Sequence, residues 1–333
     1  MAVGLTLKEL AEKIGVSRTT VSRVMSGNAQ KYRISEKTVK KVKTAAEQFG
    51  LMPNQVAQNL RLQKTDTIGL LIPDIANPFF ANLARVVEEE LRAHGQMLLL
   101  CNSNESTELE AETLTNIIRR QIDGLIVAPV GLSGEHFRTL ADKPIVFIDR
   151  YFDELPIPHV STDNQAGAFM ATRYLLDQGH RHIACIQGLR ATVSNQDRVA
   201  GYKRALKEQG GLPNIIGDGF TIENGYESAV ALLAREEKPT ALFALNNLIA
   251  VGALQALRDK GLSVPEDISL ISFDEQPYFA LTSPPVTTIQ QPVKQIAKAA
   301  VQKLLLRLKG ESTDSLKIQP EIIKRKSVLP PKS

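Results

Sequence analysis

The chain has 333 residues, 43% of them apolar and 23% charged, which is typical of a globular protein with two or three domains. Its net charge of +4 is uneven, because residues 1–65 hold twelve Lys or Arg and four Glu and so carry +8, which leaves −4 for the rest. No apolar stretch is long enough to cross a bilayer and no signal-peptide core opens the chain, so membrane and secreted proteins are disfavoured and a cytoplasmic protein is expected.

Residues 6–26 predict two short helices joined by a tight turn. Thr6, with Glu9 three residues later, forms the capping-box pattern of a helix start, and Gly15 is suited to end that helix in a left-handed conformation. Ser17 is the candidate cap of the second helix. The spacing of the apolar residues gives each helix one inward face.

The second helix keeps Arg18 and Thr19 on its outer face. A guanidinium can pair with guanine in a major groove, and a Thr methyl group can pack on thymine. The same pattern also fits a surface helix pair with solvated charges, and a membrane surface is an alternative polyanion. The charge of +8 on this segment and the rest of the chain favour DNA.

A third helix is predicted from its cap Ser35 to Phe49. The polar loop before it carries Lys31, Tyr32 and Arg33, which are either solvated or in contact with DNA phosphates. Residues 53–65 are predicted to be a linker of marginal helicity, because so short a helix is unstable without a partner.

From residue 68 onward, short apolar runs alternate with helical stretches. This alternation is typical of parallel sheets covered by helices on both faces. The predicted strands are 68–73, 97–101, 124–129, 145–149, 159–163, 182–188, 241–246 and 268–274. The predicted helices are 79–94, 108–121, 165–178, 197–209, 224–235, 247–260 and 293–309, followed by a strand-like stretch at 316–325.

The predicted fold is therefore a small all-α helix-turn-helix headpiece followed by an α/β core of two doubly wound parallel-sheet lobes. The expected domains are a headpiece of residues 1–52, a linker of residues 53–65, a first lobe of residues 66–164 with about 292–320, and a second lobe of residues 165–291.

In doubly wound sheets, ligands bind beyond the carboxyl ends of the strands. Aromatic rings can cover the C–H face of a polyhydroxylated ligand while Asp, Asn and Arg bond its hydroxyl groups. Each such residue also has a simpler explanation, as a helix cap or as plain core. The residues that follow strands are Asp74, Asn77, Phe79, Phe80, Asp149, Arg150, Asp163, Ser194, Asn195, Arg198, Phe220, Asn246, Asn247 and Asp274.

An enzyme is disfavoured by the motifs that the sequence lacks. The first strand of the core is not followed by a Gly-rich phosphate loop, and no Walker motif or GxSxG elbow occurs. His180 and His182 lie at a helix-to-strand turn and are expected to be structural; Cys101 and Cys185 are expected to be buried free thiols. No metal or cofactor is expected. A periplasmic sugar-binding protein fits the core but not the basic headpiece.

Eight segments in order carry a specific resemblance: VSRTTVSRVMSG, PNQVAQNLR, IGLLIPDIANPFF, DNQAGA, LLDQGHRHIACI, NQDRVAGY, VPEDISLISFDE and TTIQQP. Together they resemble the LacI/GalR family of bacterial transcription regulators, from residue 5 to about 310. The loop after the second helix is longer than in the lactose and purine repressors and looks like that of the fructose repressor type, also called the catabolite repressor/activator.

The resemblance implies a regulator, most often a repressor, that binds a pseudo-palindromic DNA operator. It implies a core like that of periplasmic sugar-binding proteins, with a sugar or sugar phosphate as effector between the lobes. Family members are homodimers or tetramers, and the absence of a leucine-heptad tail favours a dimer. Induction and corepression both remain open.

Carried onto this chain, the resemblance gives two sets of candidate site residues, with Leu60 at the position that wedges into the minor groove. The candidate DNA-binding residues are Thr6, Ser17, Arg18, Thr19, Thr20, Ser22, Arg23, Lys31, Tyr32, Arg33, Asn54, Ala57 and Leu60. The candidate effector-binding residues are Phe79, Phe80, Asp149, Ser194, Arg198, Phe220, Asn246 and Asp274.

Overall fold

The computed structural model describes residues 5–49, 51 and 64–332. The chain divides into two compact units, Met1–Thr65 and Asp66–Ser333, and each is described by itself. The predicted linker residues Asn54, Ala57 and Leu60 lie outside the described residues, so their predicted role in DNA binding stays a prediction.

The headpiece contains the three predicted helices, α1 (Leu7–Ile14), α2 (Arg18–Met25) and α3 (Glu36–Gln48). The capping box at the start of α1 is confirmed, and Gly15 ends α1 in the predicted left-handed conformation, with φ of 64°. Apolar side chains of all three helices meet in one small core, which aligns the outer face of α2 toward solvent. Local capping and one apolar cluster therefore define this unit.

The first lobe is built on a six-stranded sheet in the order β11-β5-β4-β3-β1-β2, all of whose pairs are parallel. Helices cover both faces, so the lobe is doubly wound as predicted. Its elements are β1 (Thr67–Ile72), α4 (Pro78–Ala93), β2 (Met97–Asn102), α5 (Thr107–Arg119), β3 (Gly124–Val127), a 3-10 turn (Glu135–Leu140), β4 (Ile145–Ile148), β5 (His159–Thr162), α10 (Val293–Leu308) and β11 (Leu316–Ile318).

The second lobe repeats this plan around the order β12-β10-β9-β8-β6-β7, in which only the β10–β12 pair is antiparallel among the described residues. Helices again cover both faces. Its elements are α6 (Asn164–Asp177), β6 (Ile183–Ile186), α7 (Val193–Lys207), β7 (Asn214–Ile216), α8 (Ile222–Leu233), β8 (Ala241–Ala244), α9 (Asn247–Asp259), β9 (Ser269–Phe273), a 3-10 turn (Pro277–Ala280), β10 (Thr287–Gln290) and β12 (Glu321–Ile323).

The two lobes are joined by three crossings of the chain, at residues 163, 291–292 and 319–320. Polar side chains tie these crossings together. The Thr162 hydroxyl donates to Gln291 Oε1 at 2.5 Å, and Gln319 Nε2 donates to Asp163 Oδ2 at 2.8 Å. The crossings thus form one hydrogen-bonded hinge beside the carboxyl ends of the strands.

Three predictions about elements were wrong. The strand prediction missed β7 and β10, whose sequences NII and TTIQ contain no apolar run longer than two residues. The strand-like stretch 316–325 is two strands in different sheets, because the chain crosses between lobes at Pro320. Helix α7 begins at Val193 rather than at residue 197, since Thr192 caps it through the amide of Asn195.

His180 and Cys185 are buried outside the cleft. His180 bonds the hydroxyls of Thr240 and Ser269 at 2.8 and 3.1 Å, which confirms its predicted structural role. Cys185 is a buried free thiol as predicted, whereas Cys101 is free but only half-buried. Among the residues described, no helix is long and apolar enough to cross a membrane, and no cluster of His, Cys, Asp or Glu could hold a metal ion.

Candidate nucleic-acid interface and ligand cleft

Helix α2 presents its polar side chains outward because two apolar ones hold its inner face. Val21 and Val24 are buried in the headpiece core, whereas Arg18, Thr19 and Ser22 are exposed. No acidic residue lies in the first turn of α2, so its positive N-terminal end is not neutralised locally. This surface suits a polyanion and can present a guanidinium and a Thr methyl group to base edges.

Some candidate DNA-binding hydroxyls already have a structural role. The Ser17 hydroxyl accepts from the amide of Thr20 at 3.0 Å, and the two hydroxyls are 2.8 Å apart. The Thr6 hydroxyl donates to Glu9 Oε2 at 2.9 Å within the capping box. All three remain at the surface, so capping and DNA contact are compatible.

The loop between α2 and α3 is a compact turn that carries the predicted basic residues. Ala29 and Ile34 pack against the headpiece core and hold the loop, which leaves Lys31, Tyr32 and Arg33 exposed. The Arg23 guanidinium lies 3.8 Å from the centre of the Tyr32 ring. This cation–π contact orients Arg23 and links α2 to the loop, a connection that the sequence prediction did not contain.

All eight candidate effector residues line one cleft between the two lobes. Three further residues complete its lining. Asn77 and Arg150 follow predicted strands but were not among the candidates, and Gln291 follows the missed strand β10. The rule that ligands bind beyond strand ends would have found Gln291 if β10 had been predicted.

Aromatic rings form the apolar walls of the cleft. Phe79 and Phe80, at the start of α4, meet edge to face with 5.0 Å between ring centres, and both belong to the core of the first lobe. Phe220 packs against the core of the second lobe from the opposite side. These residues therefore pack in the core and line the cleft at the same time, because one face of a ring can contact the core while the other faces the cleft.

Arg198 is held rigidly at the floor of the cleft. Its Nε donates to Asn164 Oδ1 at 2.8 Å and its Nη1 donates to the Leu245 carbonyl at 2.6 Å. Its Nη2 lies 3.8 Å from Asp274 Oδ1, and the guanidinium stacks 3.8 Å from the centre of the Phe273 ring. Burial lowers the pKa of Arg198, while the carboxylate of Asp274 opposes that effect. These contacts fix the orientation of the side chain.

The second-lobe carboxylate Asp274 and amide Asn246 are also positioned by partners. Gln291 Nε2 donates to Asp274 Oδ1 at 2.6 Å, so a hinge residue contacts the cleft directly. Burial raises the pKa of Asp274, and Arg198 opposes the rise. Asn246 caps α9 by accepting from the amide of Ile249 at 2.8 Å, as the alternative explanation for that residue expected. Asn246 nevertheless lines the cleft as well.

Asp149 and Arg150 extend from the end of β4 into the cleft, and each keeps one buried polar atom available. Asp149 Oδ1 and Arg150 Nε have no hydrogen-bond partner among the described residues, although both side chains are buried. Burial raises the pKa of Asp149 to about 6, against the lowering effect of Arg150 and Arg198. Each of the two atoms can therefore take one further hydrogen bond, although the side chains also form an ion pair, with 3.9 Å between Arg150 Nε and Asp149 Oδ2.

Comparison with known proteins covers both parts of the chain. Residues 6–54 match the family of bacterial regulatory proteins called lacI, and residues 172–328 match the periplasmic binding protein-like domain. The chain is 35% identical over 324 residues to catabolite control protein A of Priestia megaterium, across 95% of this chain and 96% of that protein.

Two solved structures are similar over the described fold. A lac repressor dimer bound to operator and the anti-inducer ONPF aligns with a TM-score of 0.88 and 26% identity, over 98% of this chain and 99% of that one. A LacI family transcriptional regulator from Enterococcus faecium with bound ribose aligns with a TM-score of 0.74 and 30% identity, over 80% of this chain and 100% of that one. The similarity thus extends over headpiece and core together.

Proposed function

The chain belongs to the LacI family of bacterial regulatory proteins, and on that premise we propose that its effector is a single-ring sugar bound in the cleft between the lobes. The protein is a DNA-binding transcription regulator, with a headpiece for operator DNA and a core for a small-molecule effector. Its relatives are repressors rather than enzymes.

The observation that carries the sugar proposal is the pair of unpartnered atoms at the end of β4. Asp149 Oδ1 is an acceptor and Arg150 Nε is a donor, and a sugar hydroxyl can satisfy either, since it both donates and accepts. Aromatic rings from both lobes face the same space and can cover the apolar face of a sugar ring. We propose Phe79, Phe80, Ser194, Arg198, Phe220, Asn246 and Asp274 as the remaining contacts.

A solved relative, and not the size of the cleft, suggests a single-ring sugar. The cleft holds a cavity of about 20 Å³, room for about one water molecule, so a sugar ring would enter only with the lobes further apart. The Enterococcus faecium regulator contains ribose, which makes D-ribose the first compound to test.

Effector control follows from a ligand that contacts both lobes. Phe79 and Asp149 belong to the first lobe, whereas Arg198 and Asp274 belong to the second. A sugar that contacts both sides stabilises one relative angle of the lobes over another, and only such a difference in affinity can shift the equilibrium. DNA and sugar must then affect each other's binding reciprocally.

On the DNA side, we propose that Arg18 and Thr19 contact base edges and that Ser17, Thr20, Ser22 and Arg23 add base or phosphate contacts. Thr6, Lys31, Tyr32 and Arg33 would contribute backbone contacts. Residues 53–65, with Asn54, Ala57 and Leu60, would form the hinge between headpiece and core. We further propose a cytoplasmic homodimer on a pseudo-palindromic operator, in line with the lac repressor dimer bound to its operator.

The test is a thermal-shift titration of the full chain with D-ribose, D-glucose and cellobiose. A ligand that binds only the folded state stabilises it by about 2.7 kcal/mol at a concentration of 100 Kd, so binding raises Tm in a saturable manner. We expect a single-ring sugar to raise Tm and cellobiose to have no effect. The Arg198→Ala variant should lose the shift. The proposal would be contradicted if only cellobiose raised Tm in a saturable manner, or if none of the three sugars did.

A further inference from the structure

The guanidinium of Arg150 lines the cleft and forms an ion pair with the carboxylate of Glu105. Its Nη1 donates to Glu105 Oε2 at 2.6 Å and its Nη2 donates to Glu105 Oε1 at 2.7 Å, a bidentate pair. Glu105 is not part of the cleft lining, so it contacts Arg150 from outside the cleft. Nε of Arg150 has no hydrogen-bond partner among the residues described and lies 3.9 Å from Asp149 Oδ2.

The backbone of the loop that carries Glu105 is left-handed at two consecutive residues. Asn104 and Glu105 have φ of 50° and 56°, and two consecutive left-handed residues other than glycine are strained. The Glu105 amide donates to the Pro73 carbonyl at 3.0 Å, which ties the loop to the segment after β1. A strained conformation persists only where surrounding contacts impose it, so the position of the carboxylate is specified rather than incidental.

Carboxylates outnumber guanidinium groups around the cleft. The two guanidinium groups of Arg150 and Arg198 face three carboxylates, those of Glu105, Asp149 and Asp274. All except Glu105 are almost completely buried. A phosphate group brought into this space would be desolvated without an unpaired cation to receive it, which is unfavourable.

We infer that Glu105 is a positioning residue that makes the cleft selective for uncharged sugars and excludes phosphorylated ones. It acts through Arg150 in two ways. It holds the guanidinium between the rings of Phe80 and Phe220, 5.5 Å from each ring centre, and it neutralises the charge that would otherwise attract an anion. The inference rests on the proposed sugar site and decides between sugar and sugar phosphate.

The experiment compares the full-length wild type with Glu105→Gln, Glu105→Asp and the matched control Glu112→Gln. Glu112 is exposed on α5 in the same lobe, so its substitution changes net charge equally without touching Arg150. Each protein is titrated calorimetrically with D-ribose and D-ribose 5-phosphate. A separate thermal-shift series uses inorganic phosphate. Phosphate binding by the basic headpiece is the same in all four proteins, so differences between them report on the cleft.

We expect the wild type and Glu112→Gln to favour ribose, and Glu105→Gln to shift the ratio of the two dissociation constants at least about tenfold toward the phosphate ester. Glu105→Asp keeps the charge on a shorter side chain, so it should weaken ribose binding without this shift. Inorganic phosphate should stabilise Glu105→Gln more than Glu112→Gln.

An unchanged ratio in Glu105→Gln, including an equal loss for both ligands, overturns the inference. If no protein binds ribose, the sugar proposal fails, and the inorganic phosphate series still decides the role of Glu105. Equal phosphate stabilisation of Glu105→Gln and Glu112→Gln then overturns the inference as well.

Discussion

The ionisation of Asp149 should make effector affinity depend on pH. Burial is the main cause of its raised pKa of about 6; Asp274 and Glu105 push it further up, while Arg150 and Arg198 hold it down. A sugar hydroxyl that donates to the unpartnered Oδ1 stabilises the ionised carboxylate. Binding must therefore compete with a proton below pH 6. At pH 5 the proton is favoured by about tenfold, so affinity should be roughly ten times weaker than at pH 7.5.

The same group should oppose folding of the ligand-free protein at neutral pH. The pKa of Asp149 rises from its usual 3.8 to about 6 on folding, so the folded state holds the proton more tightly. The cost of burying the charge is absent below about pH 4 and complete above pH 6, where it amounts to roughly 3 kcal/mol. Asp149→Asn should therefore raise Tm of the ligand-free protein at pH 7.5 while it weakens sugar binding. The gain should vanish near pH 4.

Calorimetric titrations at pH 5, 6 and 7.5 test the binding part, and thermal denaturation at pH 4, 6 and 7.5 tests the stability part. Asp149→Asn serves as the control, because Asn tolerates the observed φ of 65° and cannot titrate. Its affinity should be flat with pH. A wild-type affinity that stays constant from pH 5 to 7.5, or an Asn variant that keeps the wild-type slope, refutes the assignment of the proton to Asp149.

Three other substitutions separate the headpiece from the core. Arg198→Ala should abolish sugar binding, and with it the change that sugar causes in operator affinity, while operator affinity without sugar stays nearly intact. Fluorescence anisotropy with labelled operator measures this. An operator affinity that still responds to sugar contradicts the assignment of Arg198 to the cleft. Arg18→Ala should cost about 1–3 kcal/mol at one operator position and relax specificity there, and unchanged preference across operator variants contradicts the predicted base contact. Tyr32→Ala removes the ring that lies 3.8 Å from the Arg23 guanidinium. Operator affinity should fall several-fold, in line with about 0.5–1 kcal/mol for an exposed cation–π contact, while sugar affinity stays unchanged. An unaltered operator affinity shows that this contact does not contribute to DNA binding.

The headpiece was predictable because its determinants are local. The capping box at Thr6 and the left-handed Gly15 act within three or four residues, and the apolar spacing of a helix can be read directly from the chain. The longer strands were predictable for a similar reason, since buried parallel strands are continuous apolar runs. β7 and β10, with the sequences NII and TTIQ, are not continuous apolar runs, and they were missed.

The sequence by itself determined the class of the fold and the basic headpiece. Strand ends marked a wider set of residues, and the family resemblance reduced that set to the eight that line one cleft. Only the tertiary structure decided how those side chains are tuned. The Glu105 carboxylate meets Arg150 across 45 residues, and Gln291 reaches Asp274 from the hinge. Burial, which follows from packing of the whole core, raises the pKa of Asp149. Pairing over such distances and desolvation depend on the assembled fold, and no local pattern in the chain encodes them.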